Sequence, residues 1–259
     1  MTFPLAAAAL VGLLSQAAAT PAPAPLVAPV TQAPAVAPAN PFDSFFTNLG
    51  HDFKALGTAD TAWIAGFGGA GALVLHHNSD QRLHTWVLQQ NASAATSSNS
   101  ASAGNFIGNG VVQGGGAIAV WLAGMAGHSV KVETVGADLI RAQALNGLLT
   151  QGIKFAARRT RPDGASHSFP SGHTSAAFAT AAVIQRDYGT VASLPFYAMG
   201  GFVGWSRIRS NHHWLSDTVA GAAIGIISGR AATRHHKTRW TVTPVKTPGG
   251  MAVYVTRRN

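Results

Sequence analysis

The chain contains no cysteine, which excludes disulfide staples and thiolate chemistry and is compatible with any compartment. Charge is scarce: Asp, Glu, Lys and Arg make up 10% of the residues, against roughly 25% in ordinary soluble domains. Negative charge is scarcer still, with 9 Asp and Glu against 18 Lys and Arg, a formal net charge of +9. That imbalance favours acidic partners such as phosphate esters, anionic lipid or nucleic acid, without choosing among them. Long apolar runs are also missing. Hydrophobic residues reach 47%, but the excess is Ala and Gly rather than Leu and Ile. The stretches HTSAAFATAAVIQR and DTVAGAAIGIISGR hold only about a dozen apolar residues between polar ends, short of the roughly 20 a membrane span requires. The pairs His76-His77 and His235-His236 have neither cysteine nor clustered carboxylates beside them, so no metal site is expected.

What is present divides the chain into four parts. Residues 1–19 resemble an export signal, with an apolar core from Leu5 to Leu14 and small residues at Ala17 to Ala19, though a positive leading region is absent. Residues 20–41 form a Pro/Ala tract that reads as an extended linker. Residues 42–239 read as helical, with segments at about 42–56, 61–77, 106–126, 137–158, 172–187, 191–207 and 213–230. The stretch NASAATSSNSASAGN, residues 91–105, has low complexity and no periodicity and reads as a loop. Residues 240–259 alternate with period two around KTPGG, the pattern of a β-hairpin with Pro244 restricting the first strand to an edge. The expected fold class is therefore all-α: a bundle of about six core helices with the active site at one end, plus a short C-terminal β-hairpin.

Three short motifs carry chemistry. Lys154 and Arg161 are separated by six residues, and Pro162 follows. Pro170-Ser171-Gly172-His173 stands where a helix is about to begin. Ser206-Arg207 is followed after five residues by His213 and after three more by Asp217. A lone Pro-Ser-Gly-His is explained by helix capping alone. The three together, in this order, resemble the signature of the type 2 phosphatidic acid phosphatase family, whose superfamily also contains class A acid phosphatases and vanadium-dependent haloperoxidases. The resemblance covers residues 154–217 and implies that 42–239 is a helical phosphatase domain. It gives no support to residues 1–60 or 231–259.

The residue types suit phosphoryl transfer. A phosphate dianion needs several fixed positive donors as charge shifts among its oxygens. Arg161 and Arg207 offer planar forks, and Lys154 a compact charge. Ser171 and the backbone near Gly172 add donors at a helix N-terminus. His213, neutral, is the expected nucleophile and forms a phosphohistidine. Asp217, four residues on, shares a helix face with it and fixes its tautomer. His173 is the expected general acid and then base. The helix terminus should depress its pKa, and a bound dianion should raise it again. His212 reads as structural, and Arg158 and Arg159, off the fixed positions, read as solvated rim charges.

This scheme calls for no cofactor. Vanadate enters only as a phosphate analogue, or as the cofactor of a haloperoxidase, the first alternative, for which the chain is short. A non-catalytic cationic lipid-binding protein is the second. The implied partner is a phosphate-ester or phospholipid substrate, with an anionic membrane surface as a further partner and no nucleic acid. Helix polarity makes an exported N-terminus and a periplasmic active site incompatible with six clean spans. An exported, periplasmic bundle, soluble or peripherally bound, is therefore expected, with an integral inner-membrane protein as the alternative. The segment 78–105 is expected at the active-site end.

Overall fold

The computed structural model describes the backbone of residues 41–93, 97–234, 239–247 and 250–258, and the side chains of 45–91 and 101–234. The expected export signal and most of the Pro/Ala tract lie outside these residues. Nine helices occur among them: α1 (Pro41–Ala55), α2 (Ala59–Asn78), α3 (Asp80–Ser93), α4 (Ser97–Gly108), α5 (Gly110–Ala126), α6 (Val130–Ala157), α7 (Gly172–Tyr188), α8 (Thr190–Arg209) and α9 (Leu215–Ala232). Strands β1 (Arg239–Thr247) and β2 (Gly250–Arg258) pair antiparallel, with Arg239 opposite Arg258 and Thr247 opposite Gly250.

The helices exceed the expected six or so because two places read differently in three dimensions. Residues 80–93 and 97–108, which overlap both ends of the stretch 91–105 expected to be a loop, are helical. The apolar segment expected at 106–126 breaks at Asn109, whose side chain accepts from the Val111 amide at 2.8 Å and so caps α5. The two helices meet there at a bend of 51°.

The centre of the bundle is α7 against α9, flanked by α6, α8 and α2. The spacing Gly221, Gly225, Gly229 explains how closely α9 approaches. A Cβ at these positions would lie 2.6 Å from the Ser171 carbonyl oxygen, 2.3 Å from that of Ser175 and 2.6 Å from that of Ala179. Only residues without a side chain let the two backbones meet. The buried side chains are correspondingly small: Ala142, Ala179, Ala181, Ala182 and Ala232 are fully enclosed. Larger ones, Val135, Leu139 and Val183, close the gap between α5, α6 and α7. Many large apolar residues point outward instead, among them Trp63, Phe67 and Leu73 on α2 and Val111, Ile118 and Leu122 on α5. Among the described residues no single helix is long and apolar enough to cross a membrane; the bent pair Ala101–Gly108 and Gly110–Ala126 meets that test together.

Candidate active site

The C-terminal turns of α6 and α8 and the N-terminal turns of α7 and α9 meet at one end of the bundle. Between them lies a cavity of about 450 Å³ lined by Lys154, Arg161, Gly172, His173, Arg207 and His213, residues contributed by all three motifs. Lys154 sits in the last turn of α6 and Arg207 in the last turn of α8. Helix α6 ends at Ala157, where Arg158 takes the left-handed conformation (φ 47°) and closes it. Arg161 therefore reaches the cavity from a loop, not from two turns along the α6 face. Its amide donates to the Ala165 carbonyl at 2.7 Å, and the Gly164 amide donates back to the Arg161 carbonyl at 3.0 Å, a tight turn that Pro162 favours.

The cavity end is rich in polar atoms without partners. Arg161 Nε, Arg207 Nε and His173 Nε2 are buried and make no hydrogen bond, a rare condition in a folded protein. Lys154 Nζ is tethered to the carbonyls of His167 (2.7 Å) and Ser168 (3.3 Å). Arg207 Nη1 donates to Asn105 Oδ1 at 3.0 Å. Burial, then the neighbouring Arg161 charge, lowers the Lys154 pKa to about 8.

His213 does not belong to α9, which starts two residues later. Its link to Asp217 is made by capping geometry instead of a shared helical face. Asp217 is the third residue of α9, and its Oδ2 folds back to accept the Trp214 amide at 2.9 Å, the Ser168 hydroxyl, and His213 Nδ1 at 3.4 Å. Oδ1 accepts Arg159 Nη1 at 2.6 Å. Burial pushes the Asp217 pKa up. The bonds from His213 and Ser168, the Arg159 charge and the Trp214 amide outweigh that and hold the carboxyl below its usual range. An ionised carboxylate can only accept, so the His213 proton sits on Nδ1 and the Nε2 lone pair is left over.

His213 is held neutral. Burial, with the Lys154 and Arg207 charges behind it, lowers its pKa to about 4 despite the opposing bond to Asp217. His173 also falls to about 4, chiefly by burial and then by Arg207, His213, His212 and Lys154. The depression expected at the helix terminus is thus present, but desolvation and neighbouring cations cause it. Ser171 is placed differently from a phosphate donor. Its hydroxyl caps α7, lying 3.4 Å from the Thr174 amide and 2.9 Å from Thr174 Oγ1, and its amide donates to the Asp217 carbonyl at 2.9 Å. The Ser171 side chain is therefore occupied, and Gly172 and His173 provide the unpaired first-turn amides.

Three residues around the cavity escaped the motifs. Arg159, expected at the rim, is largely buried and paired with Asp217 and with Asp80 of α3. Asn105 of α4 holds Arg207. Asp80 and Asn105 place the segment 78–105 at the active-site end as expected, although as helices. No local pattern could have named them, because each acts through a partner far away in the chain.

Residues 136–241 match the PAP2 superfamily. A lipid A 1-phosphatase of Porphyromonas gingivalis is 42% identical over 96 residues, which is 36% of this chain and 21% of that protein. A lipid A 1-phosphatase of Rhizobium etli is 32% identical over 117 residues, 38% of this chain and 49% of that one. The chain thus spans about a fifth and about half of the length of these relatives. The crystal structure of Aquifex aeolicus LpxE shares the fold with a TM-score of 0.50 at 22% identity, covering 60% of this chain and 94% of that one. Over residues 136–241, the segment that brings the three motifs around one cavity, this chain is similar to the PAP2 superfamily.

Proposed function

We propose that this protein is a phosphatase that hydrolyses phosphate monoesters of lipids through a phosphohistidine intermediate. The observation that carries the reading is the convergence of Lys154, Arg161, Arg207, His173 and His213 on one cavity, with unpaired buried donors facing no protein acceptor. A phosphate dianion supplies acceptors for those donors and negative charge for three cations.

In the first half-reaction His213 Nε2 attacks phosphorus as the P–O bond to the leaving group breaks. Asp217 stabilises the positive charge that develops on the imidazole. His173 gives its proton to the departing alkoxide oxygen. In the second, His173 takes a proton from water, the water oxygen attacks phosphorus, the P–N bond breaks and inorganic phosphate leaves. In the free protein His173 is neutral at pH 7 because burial and cations hold its pKa at about 4. A dianion bound among those cations reverses the largest charge effect, so substrate itself arms the acid. Lys154, Arg161 and Arg207 supply the electrostatic stabilisation, and no metal or organic cofactor enters the scheme.

The leaving group is a lipid, as the names of the two relatives indicate for those proteins. The outward Trp63, Phe67, Val111 and Ile118 suit contact with acyl chains, and the net charge of +9 suits an anionic membrane surface. We place the enzyme in the periplasm, exported and bound at that surface. The test is phosphate release from lipid A 1-phosphate, phosphatidic acid, phosphatidylglycerol phosphate, undecaprenyl diphosphate and p-nitrophenyl phosphate. Release from a lipid phosphate that is lost in His213→Ala is expected. Unchanged release by that variant would overturn the reading.

A further inference from the structure

The geometry points to Arg159 and Asp80 as positioning residues that hold Asp217, and through it the tautomer of His213, so that α3 becomes part of the catalytic apparatus. The inference rests on the phosphohistidine reading above. Neither residue occupies a fixed position of the three motifs, and Asp80 lies outside the residues that match the superfamily.

The side chains form a closed chain of bonds. Arg159 Nη1 donates to Asp217 Oδ1 and to Ser216 Oγ, each at 2.6 Å. Arg159 Nη2 donates to Asp80 Oδ2 at 2.7 Å, and its 2.8 Å contact to His76 Nδ1 makes that nitrogen an acceptor. Asp80 in turn accepts the Ser216 hydroxyl at 2.6 Å and the Ser216 amide at 2.9 Å. The guanidinium also lies 5.4 Å from the centre of the Trp214 ring. Residues 214, 216 and 217, which form the entry to α9, are thereby fixed from one side by a single arginine and one carboxylate of another helix.

Two features argue for a catalytic purpose beyond holding the fold. The first is charge. Asp80 and Asp217 are both buried, with side chains 2% and 0% exposed, around one cation that is 19% exposed. The unit carries a net charge of −1 next to His213. An imidazole that becomes cationic on attack meets compensating negative charge there, already in place before reaction. The second is geometry. The His213–Asp217 contact is 3.4 Å, long for such a pair, so the carboxylate must be pinned by other groups to stay in register. A planar guanidinium with two nitrogens can hold two carboxylates at once, which an ammonium cannot. Arg159 does not line the phosphate cavity but a separate one of about 310 Å³ with His76 and Ser216, so its route to the reacting phosphate is through Asp217.

The test uses the full-length protein with p-nitrophenyl phosphate. Arg159→Gln should lower kcat about 30- to 100-fold and Asp80→Asn about 5- to 20-fold, with KM within about 2-fold in both. Arg159→Lys, which restores the charge but not the fork, should recover part of the loss. In an Asp217→Asn background either change should cost less than about 2-fold more, because residues acting as one unit are not additive. Imidazole ¹⁵N spectra give a readout without turnover: His213 should show the single Nδ1–H tautomer in the unaltered protein and mixed tautomers in Arg159→Gln. Full additivity with Asp217→Asn, or an unchanged His213 spectrum, would overturn the proposal. If Arg159→Gln fails to fold, Asp80→Asn and Arg159→Lys carry the same tests. Should the unaltered protein release no phosphate at all, the phosphatase reading falls, and the tautomer measurement still decides the positioning role.

Discussion

Two arginines in this molecule do the same local job with different consequences. Arg141 of α6 bridges Asp52 of α1 at 2.9 Å and Asp138 at 2.5 Å, and also donates to the Ala232 carbonyl at 2.8 Å. Arg159 bridges Asp80 and Asp217. Each is one cation between two buried carboxylates from different parts of the chain. The Arg141 group lies at the C-terminal end of α9 and the Arg159 group at its N-terminal end, about 20 Å apart at 1.5 Å per residue. Around Arg141 the charges close on themselves. Beyond Asp217 there is instead a cavity with Arg161, Arg207 and His173 bearing unpaired atoms. A buried ion pair alone is therefore architecture. Function shows where polar atoms are left over.

Breaking each cluster should separate the two roles. The largest effect is expected for His213→Ala, which removes the nucleophile and should cut turnover about 10⁴-fold or more without a large change in melting temperature, read by phosphate release and calorimetry. Arg207→Ala should follow at about 10²- to 10³-fold, since one fixed donor to the transferring group is lost. Arg141→Ala should do the reverse. It removes the cation from between two buried carboxylates, costing about 3–5 kcal/mol of stability, while kcat of the protein that remains folded stays within about 3-fold. A chemical-denaturation curve beside the activity assay distinguishes these patterns.

Acid should act on the cavity end. Unfolded histidine takes its proton near pH 6.5, whereas folded His213 and His173 take theirs near 4. Between those values the unfolded chain binds more protons, so stability should fall as pH drops from about 6.5 to 4. His213 alone accounts for about 3 kcal/mol of that loss, at about 1.4 kcal/mol per pH unit; His173, more solvated, adds less. A His213→Asn variant should flatten the dependence of melting temperature on pH across that window. The smallest effect is expected for Asn105→Ala, which frees Arg207 to move and should raise KM about 3- to 10-fold. An unchanged KM would remove α4 from substrate binding.

What the sequence disclosed and what it hid divide along physical lines. Lys154, Arg161, Gly172, His173, Arg207 and His213 stand at positions the motifs single out, and all six line one cavity. Helix α7 was legible because Ser171 caps it and Gly189 follows its end. Helix α4 was not, since its small polar residues have weak helical preference, and α3, though it carries good helix formers such as Gln81, Arg82 and Leu83, lacks a marked apolar face. Close packing holds α4: a Cβ on Gly104 would meet Ser206 Oγ at 1.8 Å, and one on Gly108 would meet Val203 at 2.5 Å. Arg158 and Arg159 are adjacent and identical in type, yet one closes a helix at the surface and the other is half-buried against two carboxylates. No spacing rule separates them, because the helical period ends at Ala157.

The account turns on covalent transfer of phosphate to one imidazole. Rapid quenching of the enzyme with a ³²P-labelled lipid phosphate, followed by peptide mapping under alkaline conditions, tests it most directly. An acid-labile, alkali-stable label on His213 that disappears on chase with unlabelled substrate is predicted. Label on any other residue, or turnover with no labelled protein and with inverted configuration at phosphorus, would contradict it.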